Sequence, residues 1–205
     1  MKTTAGWEYE LKHQQAGKRV IAGLDEVGRG CWAGPLVACA YVFHNVPCDI
    51  VVGDSKTFSE KQRKELAFKL VELGVSSLGE VSAEEIDALG LQQAQYLAYE
   101  RALQGLPIAP EVVLLDGRPW KTELFFCDAV VDGDAKIASI AAASIVAKVY
   151  RDTYMREVAH SEYPYYGFNQ HVGYGTKVHQ SALQDRGTCI LHRQSFKPIK
   201  SIVSR

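Results

Sequence analysis

Two adjacent carboxylates at the head of an apolar run, Asp25 and Glu26, constrain this chain more than any other feature. The stretch reads Val20-Ile21-Ala22-Gly23-Leu24-Asp25-Glu26-Val27-Gly28-Arg29-Gly30. Its first five residues have the composition of a buried strand. Carboxylates in such a place are costly unless a cation neutralises them, and no Lys or Arg precedes them within the strand. A divalent metal is the natural neutraliser, and the glycines that follow let a ligand come close to the backbone. The pattern points to metal-dependent phosphoryl transfer.

The 205 residues suffice for one sizeable core, and 47% hydrophobic with 23% charged residues is an ordinary globular balance. A formal net charge of -1 means that a nucleic-acid binder of this composition must sort its charges onto different faces. Met1 to Gly17 is polar and lacks the apolar stretch of a secretory signal, and no run is long enough to predict a transmembrane helix. Five cysteines, at 31, 39, 48, 127 and 189, form no CxxC pair. They read as apolar buried thiols in a reducing cytoplasm, not as a zinc site or disulfide framework.

Val20–Leu24 and Leu36–Phe43 read as strands of an antiparallel hairpin. Ser59 with Gln62 is a capping box opening a helix whose inner stripe is Leu66, Leu70 and Leu73, with Gly74 as its stop. Ser82 with Glu85 opens a second helical stretch to about Gln104, broken or joined near Gly90. Glu111–Leu115 is a strand running into Asp116, and Leu124–Val131 contains another. A long Ala-rich helix is expected from about Lys136 to His160, a loop over Tyr163–Gly175, and a last helix over Thr176–Arg186 stopped by Gly187. A hairpin followed by alternating helices and strands is an α/β layered domain.

Asp116 and Asp134 each follow an apolar strand, as the first acidic pair does. Strand ends of one sheet lie together, so these four acids can converge. Four carboxylates around one point cannot all stay ionised without cations, and two magnesium or manganese ions would resolve the repulsion. Spacing alone leaves Asp116 and Asp134 open between ligand and turn or cap residue. Asp54, Asp128, Asp132 and Asp152 compete with them, although Asp152 lies one turn after Lys148, where an ion pair explains it.

The stretch Gly23–Phe43 (GLDEVGRGCWAGPLVACAYVF) resembles the signature of type 2 ribonucleases H, specifically bacterial ribonuclease HII. The likeness extends through Gly53-Asp54-Ser55-Lys56 with Ser59-Glu60-Lys61, then Leu115-Asp116-Gly117 and Ile140–Lys148 with Arg151-Asp152. It continues in the loop from Tyr163 to Thr176 and in Arg193-Gln194-Ser195-Phe196, so that it covers about Arg19 to Lys200.

That resemblance implies a ribonuclease H-like mixed sheet flanked by helices, in one catalytic domain spanning 1–205. A small helical C-terminal part, about 160–205, is implied to help bind substrate. It implies Asp25, Glu26, Asp116 and Asp134 as catalytic ligands of two Mg2+ or Mn2+ ions. The family commonly has Lys-Gly-Asp where this chain has Asp132-Gly133-Asp134, which leaves Asp132 as a rival to Asp134. Gly28, Arg29 and Gly30 are implied to read a ribose 2′-hydroxyl and its phosphates, and only such glycines allow so close an approach. Tyr174 is implied to pack on the next deoxyribose, and Ser55 and Lys56 to face phosphate, with Arg193 and Ser195 as further candidates. Lys61, Arg63 and Lys64 read as a solvated helix face, and His171, His179 and His192 as polar loop or helix residues. The implied activity is endonucleolytic: cutting the RNA strand of RNA–DNA hybrids, and nicking duplex DNA 5′ of an embedded ribonucleotide to leave 3′-hydroxyl and 5′-phosphate ends. The implied setting is a cytoplasmic monomer with no membrane association. A non-catalytic hybrid-binding module and a different metal nuclease of the same fold, acting on DNA alone, are the other classes.

Overall fold

A computed structural model describes residues 4–203. The chain begins with α1 (Glu8–Gln15), then β1 (Ile21–Val27) and β2 (Leu36–Phe43), which pair antiparallel with Asp25 opposite Cys39. α2 (Glu60–Leu73) follows and runs directly into β3 (Gly74–Val81), then come α3 (Ala83–Leu89) and α4 (Leu91–Gln104). β4 (Val112–Asp116) pairs parallel with β1, and β5 (Cys127–Val130) pairs parallel with β4. The strand order is β3-β2-β1-β4-β5, a five-stranded mixed sheet. Leu24 lies beside Leu115, so the next step of that parallel register brings Asp25 beside Asp116.

The two-residue alternation of the strands builds two cores. Ala22, Leu24, Leu36, Ala38, Ala40 and Val42 face α3 and α4, meeting Ile86, Ala94, Ala98, Tyr99 and Ala102. Cys39, Tyr41 and Phe43 face the other way, toward Leu70 of α2 and the alanines of α6 (Ala138–Thr153), which follows α5 (Gly133–Lys136). All eight residues of β2 are buried, as a strand covered on both faces requires. The Ala-rich sequence of α6 lets its backbone come down onto β1: a Cβ at Gly23 would lie 2.0 Å from the Ser139 carbonyl carbon.

Beyond α6 the helix widens into a π-helical turn at Tyr154–Ala159. α7 (His160–Glu162), α8 (Phe168–His171), α9 (Lys177–Arg186) and α10 (Lys197–Val203) then gather around Met155, Phe168, Leu183 and Ile199. This part is tied to the β1–β2 loop, where Trp32 N–H donates to the Gly173 carbonyl at 2.8 Å. Among the described residues no helix is long and apolar enough to cross a membrane.

Both capping boxes form as expected. Several expectations need correction. Gly74 ends α2 as expected, but it is extended and opens β3, an edge strand the sequence did not announce. Its pattern, Gly-Val-Ser-Ser-Leu-Gly-Glu-Val, is half polar, and pairing with β2 rather than strand propensity makes it a strand. The long helix expected from about Lys136 starts at Ala138 and is set off from α5 by Ile137, which is extended and bridges to Gly6. The loop from Tyr163 contains α8. The unforeseen α1 supplies Glu10, whose Oε1 accepts the Ser139 N–H at 2.8 Å and so caps α6 from a distance. β1 extends to Val27, so Asp25 and Glu26 lie inside the strand rather than after it.

Gly23→Ala should destabilise the protein by about 3 kcal/mol, the top of the overpacking range, because the clash is with backbone that cannot rotate away. Urea unfolding would measure this, and a loss below about 1 kcal/mol would contradict the close approach of α6 to β1.

Candidate active site

Consecutive strand residues point to opposite faces, so Asp25 and Glu26 leave β1 in different directions. Asp25, only 7% exposed, lies on the α6 side, hydrogen-bonded with Ser144. Its Oδ1 also accepts the Glu26 N–H at 2.8 Å. Glu26 lies on the α4 side, where its Oε2 accepts from the Tyr99 hydroxyl. Gln95 Nε2 donates to that hydroxyl at 2.5 Å, and Arg29 Nε donates to Gln95 Oε1 at 3.0 Å. Two helical residues thus join the arginine of the Gly-Arg-Gly loop to the second acid of the pair. Residues four apart on one helix face, Gln95 and Tyr99, were the only sequence signal for this bridge.

Asp116 ends β4, and its Oδ1 accepts the Gly133 N–H at 2.6 Å. That bond draws the start of α5 against β4 and carries Asp134 to the same opening. Lys56 Nζ stands 4.0 Å from Asp134 Oδ2 and 3.8 Å from Asp54 Oδ1. Ser55 Oγ accepts from Ser144 Oγ at 3.1 Å. Asp54 caps the short turn bearing Ser55 and Lys56 by accepting the Lys56 N–H at 2.9 Å.

One cleft of about 310 Å3 takes in all ten residues singled out from the sequence: Asp25, Glu26, Asp116, Asp134, Gly28, Arg29, Gly30, Ser55, Lys56 and Tyr174. Val27, Ser144 and Lys148 complete its lining, and neither Ser144 nor Lys148 had been singled out. Asp132 does not line it; this exposed residue sits in a left-handed conformation ahead of α5. Asp128 pairs instead with His13 at 3.4 Å, and Asp152 with Lys148 at 2.8 Å. A second cavity, about 370 Å3, opens on the α4 side and shares Glu26, Arg29 and Asp116 with the cleft. A further cavity, about 520 Å3 between α2, β3 and α6, is lined by apolar and hydroxyl-bearing side chains and no charged one.

The Asp25 carboxyl is raised well above the usual range, first by burial, then by Glu26 and Asp116. Glu26 is raised by burial, against the opposing Tyr99 bond and the Arg29 charge. Asp134 is raised by burial, Asp116 and Asp54, with Lys56 pulling the other way. The acids therefore repel one another, with Arg29 and Lys56 compensating in part, while Lys148, the other cation lining the cleft, is paired with Asp152. Among the described residues no three acidic, histidine or cysteine side chains already stand at ligating spacing. One oxygen each of Glu26 and Asp116 is already engaged, by the Tyr99 hydroxyl and the Gly133 N–H. Oxygen donors without thiol or imidazole suit a hard divalent cation such as magnesium or manganese.

Several other expectations change. Arg193 faces no solvent: it is fully buried and donates to the carbonyls of Gly34 and Arg29. Ser195 is bound by Asp87, its N–H at 2.8 Å and its hydroxyl at 2.6 Å from the carboxylate. Arg63 is not merely solvated; it donates to the carbonyls of Ser55 and Phe58, supporting the turn that carries Lys56. Lys61 and Lys64 do lie on an open helix face, paired with Glu65 and Glu60. His171, His179 and His192 do sit in helices or a loop, and they are buried against one another.

Raised carboxyl pKa values have a definite sign. A carboxyl whose folded value exceeds its unfolded one favours folding below the unfolded value, near 3.9 for Asp, and loses that contribution as pH rises through the folded value. In chelator at pH 7, Asp25→Asn should therefore raise Tm, by roughly 3 °C or more, while retaining an oxygen for the Glu26 N–H. The gain should vanish near pH 4. Calorimetry showing no gain at pH 7 would sink the idea that these acids strain the fold, as would magnesium stabilising the variant as much as the parent.

The ribonuclease HII family model matches residues 22–199. The chain is 44% identical over 196 residues to ribonuclease HII of Macrococcus caseolyticus, covering 96% of this chain and 72% of that one. It is 44% identical to ribonuclease HII of Jannaschia sp., covering 97% and 98% respectively. The crystal structure of ribonuclease H2 from Pyrococcus horikoshii superposes with a TM-score of 0.78 at 26% identity, over 91% of this chain and 98% of that one.

Proposed function

Because this chain belongs to the ribonuclease HII family, a family of endonucleases that act on the RNA of RNA–DNA hybrids, we propose that its acidic cleft incises duplex DNA 5′ of embedded ribonucleotides as well as hybrid tracts. The observation that carries this reading is the convergence of four acids, the Gly-Arg-Gly loop, Ser55-Lys56 and Tyr174 on one cleft. The acids are Asp25, Glu26, Asp116 and Asp134, and they would hold two divalent ions. When bound, such ions activate a water for in-line attack and neutralise the leaving 3′ oxygen, giving 3′-hydroxyl and 5′-phosphate ends.

The chain's own residues position the duplex and select its sugar. Gly28 has a φ of +87° and Gly30 has open space at its Cβ position, so their backbone can approach a ribose edge. The 2′-hydroxyl there is both donor and acceptor and distinguishes RNA from DNA. Arg29, steadied by Gln95, and Lys56, exposed beside Asp134, take flanking phosphates. Tyr174, 42% exposed with Lys148 Nζ 5.9 Å from its ring centroid, offers a flat face to the following deoxyribose. The part of the chain after about residue 160 contributes that tyrosine, and the protein acts as a monomer.

A duplex with one ribonucleotide, incubated with magnesium, with manganese and with chelator, tests the reading directly. Cleavage on the 5′ side of the ribonucleotide in the metal lanes only is expected. Cutting of an all-DNA duplex would favour a different metal nuclease, and metal-independent binding without cutting would favour a hybrid-binding module. Asp116→Asn should abolish cleavage and leave hybrid binding largely intact; parent-like activity of this variant in magnesium would refute the metal assignment. Tyr174→Ala should slow cutting at a single ribonucleotide by about tenfold, judged from the worth of one aromatic stacking contact. A rate equal to the parent's would remove Tyr174 from the junction.

A further inference from the structure

Three buried histidines lie behind the loop that carries Tyr174, and the hydrogen-bond partners of two of them fix where every proton sits. The Cys189 backbone N–H can only donate, and it lies 2.9 Å from His192 Nδ1. The Cys189 carbonyl, which could only accept, is farther from that nitrogen, at 3.3 Å, and already takes the His192 backbone N–H at 3.0 Å, so the shorter N–H contact decides: His192 Nδ1 is an acceptor, with the Cys189 Sγ at 3.2 Å beside it, and the ring proton is on Nε2. The Tyr174 carbonyl can only accept, and it lies 2.9 Å from His179 Nδ1, so that nitrogen carries the proton and His179 Nε2 is bare. The two Nε2 atoms are 3.0 Å apart, and only this combination lets His192 donate to His179. The chain runs one way: Cys189 to His192 to His179 to the Tyr174 carbonyl.

We propose that His192 and His179 form a tautomer-locked relay that positions Tyr174, making them positioning residues for junction recognition. This rests on Tyr174 facing the substrate, as argued above. Neither ring can take a second proton without placing two N–H groups nose to nose, at 3.0 Å between the histidines or 2.9 Å against Cys189. The surroundings agree. His171 stacks on His179 at 4.6 Å, and its own partners, Gly173 N–H donating to Nδ1 and the Tyr166 carbonyl accepting from Nε2, keep it neutral too. Phe168 and Trp32 pack on His179, and Tyr166 on His192. Arg193 turns away to the carbonyls of Gly34 and Arg29, and the nearby charge of Glu162 acts on Cys189, not on the rings. Burial pushes both His179 and His192 down to about 4. The relay is thus neutral above about pH 6.5, and protonation weakens the fold as pH falls from there toward 4. The Tyr174 loop keeps one geometry across the neutral range.

A coupling experiment separates this role from mere packing. His179→Phe keeps the ring and its stacking but deletes the donor to Tyr174. It should lower kcat/KM on a single-ribonucleotide duplex by about tenfold in the parent, the worth of one hydrogen bond, and by less than about twofold in a Tyr174→Ala background. His179→Asn, which retains a donor at the Nδ1 position, should recover part of the loss. Equal losses in both backgrounds, or no recovery with Asn, would overturn the relay. Imidazole 15N NMR of the unsubstituted protein gives an answer independent of activity: Nδ1-protonated His179 and Nε2-protonated His192 are expected from pH 6.5 to 8. Other tautomers, or an imidazolium at pH 6.5, would overturn it. If the parent cuts no ribonucleotide duplex while NMR shows these tautomers, the reading of Tyr174 fails and the relay's hydrogen-bond order stands.

Discussion

Two arginines that have no carboxylate partner among the described residues hold the acidic end of this molecule. Arg151 and Arg193 are fully buried, and between them they donate to the carbonyls of Arg29, Ala33, Gly34, Pro35 and Val172 at 2.8 to 3.1 Å. A buried charge is tolerable only if its hydrogen-bond capacity is met, and the planar fork of a guanidinium can be met by carbonyl dipoles alone. Burial lowers Arg193 to about 10, which still leaves it charged at neutral pH. The β1–β2 loop lies outside the sheet, and these bonds, with the backbone bonds of Trp32 and Gly34 to Gly173 and Leu191, hold its path. Gly28 shows how tight the arrangement is: a Cβ there would lie 2.2 Å from Arg151 Nε.

The same end of the sheet bears a second constraint, the alternation of β1. Asp25 and Glu26 are neighbours in sequence but belong to opposite faces, one in contact with α6 and the other with α4. The acidic cleft is therefore built around the strand's tip rather than upon one face. Asp116 stands beside Asp25 by parallel register, and Asp134 arrives through the bond between Asp116 and Gly133. Each acid is placed by backbone geometry, while mutual repulsion is the condition that a bound cation would relieve.

Much of this was readable in the sequence where local signals and tertiary packing agree. Both capping boxes, the buried β2 and the small-residue helix α6 fall in that class, and the ten site residues do converge. What could not be read depends on partners distant in the chain. β3 is a strand because β2 offers it a ladder, and Ile137 separates α5 from the long helix where it bridges to Gly6. A motif also names a residue without giving its direction. Arg193 matched a segment that suggested phosphate contact, yet it points inward to Gly34, 159 residues earlier. The histidines likewise carry no ligand spacing, and only the fold reveals that they bond one another.

The long reach of Arg193 sets an order of events during synthesis. Every strand of the sheet, and all four acids of the cleft, are made before Arg193 exists. Chains generally fold as they emerge, N-terminal parts first. A nascent chain can thus assemble its sheet and bring its acids together while the Gly-Arg-Gly loop still lacks one of its two clamps. The sheet and its four acids precede in the chain the arginine that completes the clamp on the loop beside them.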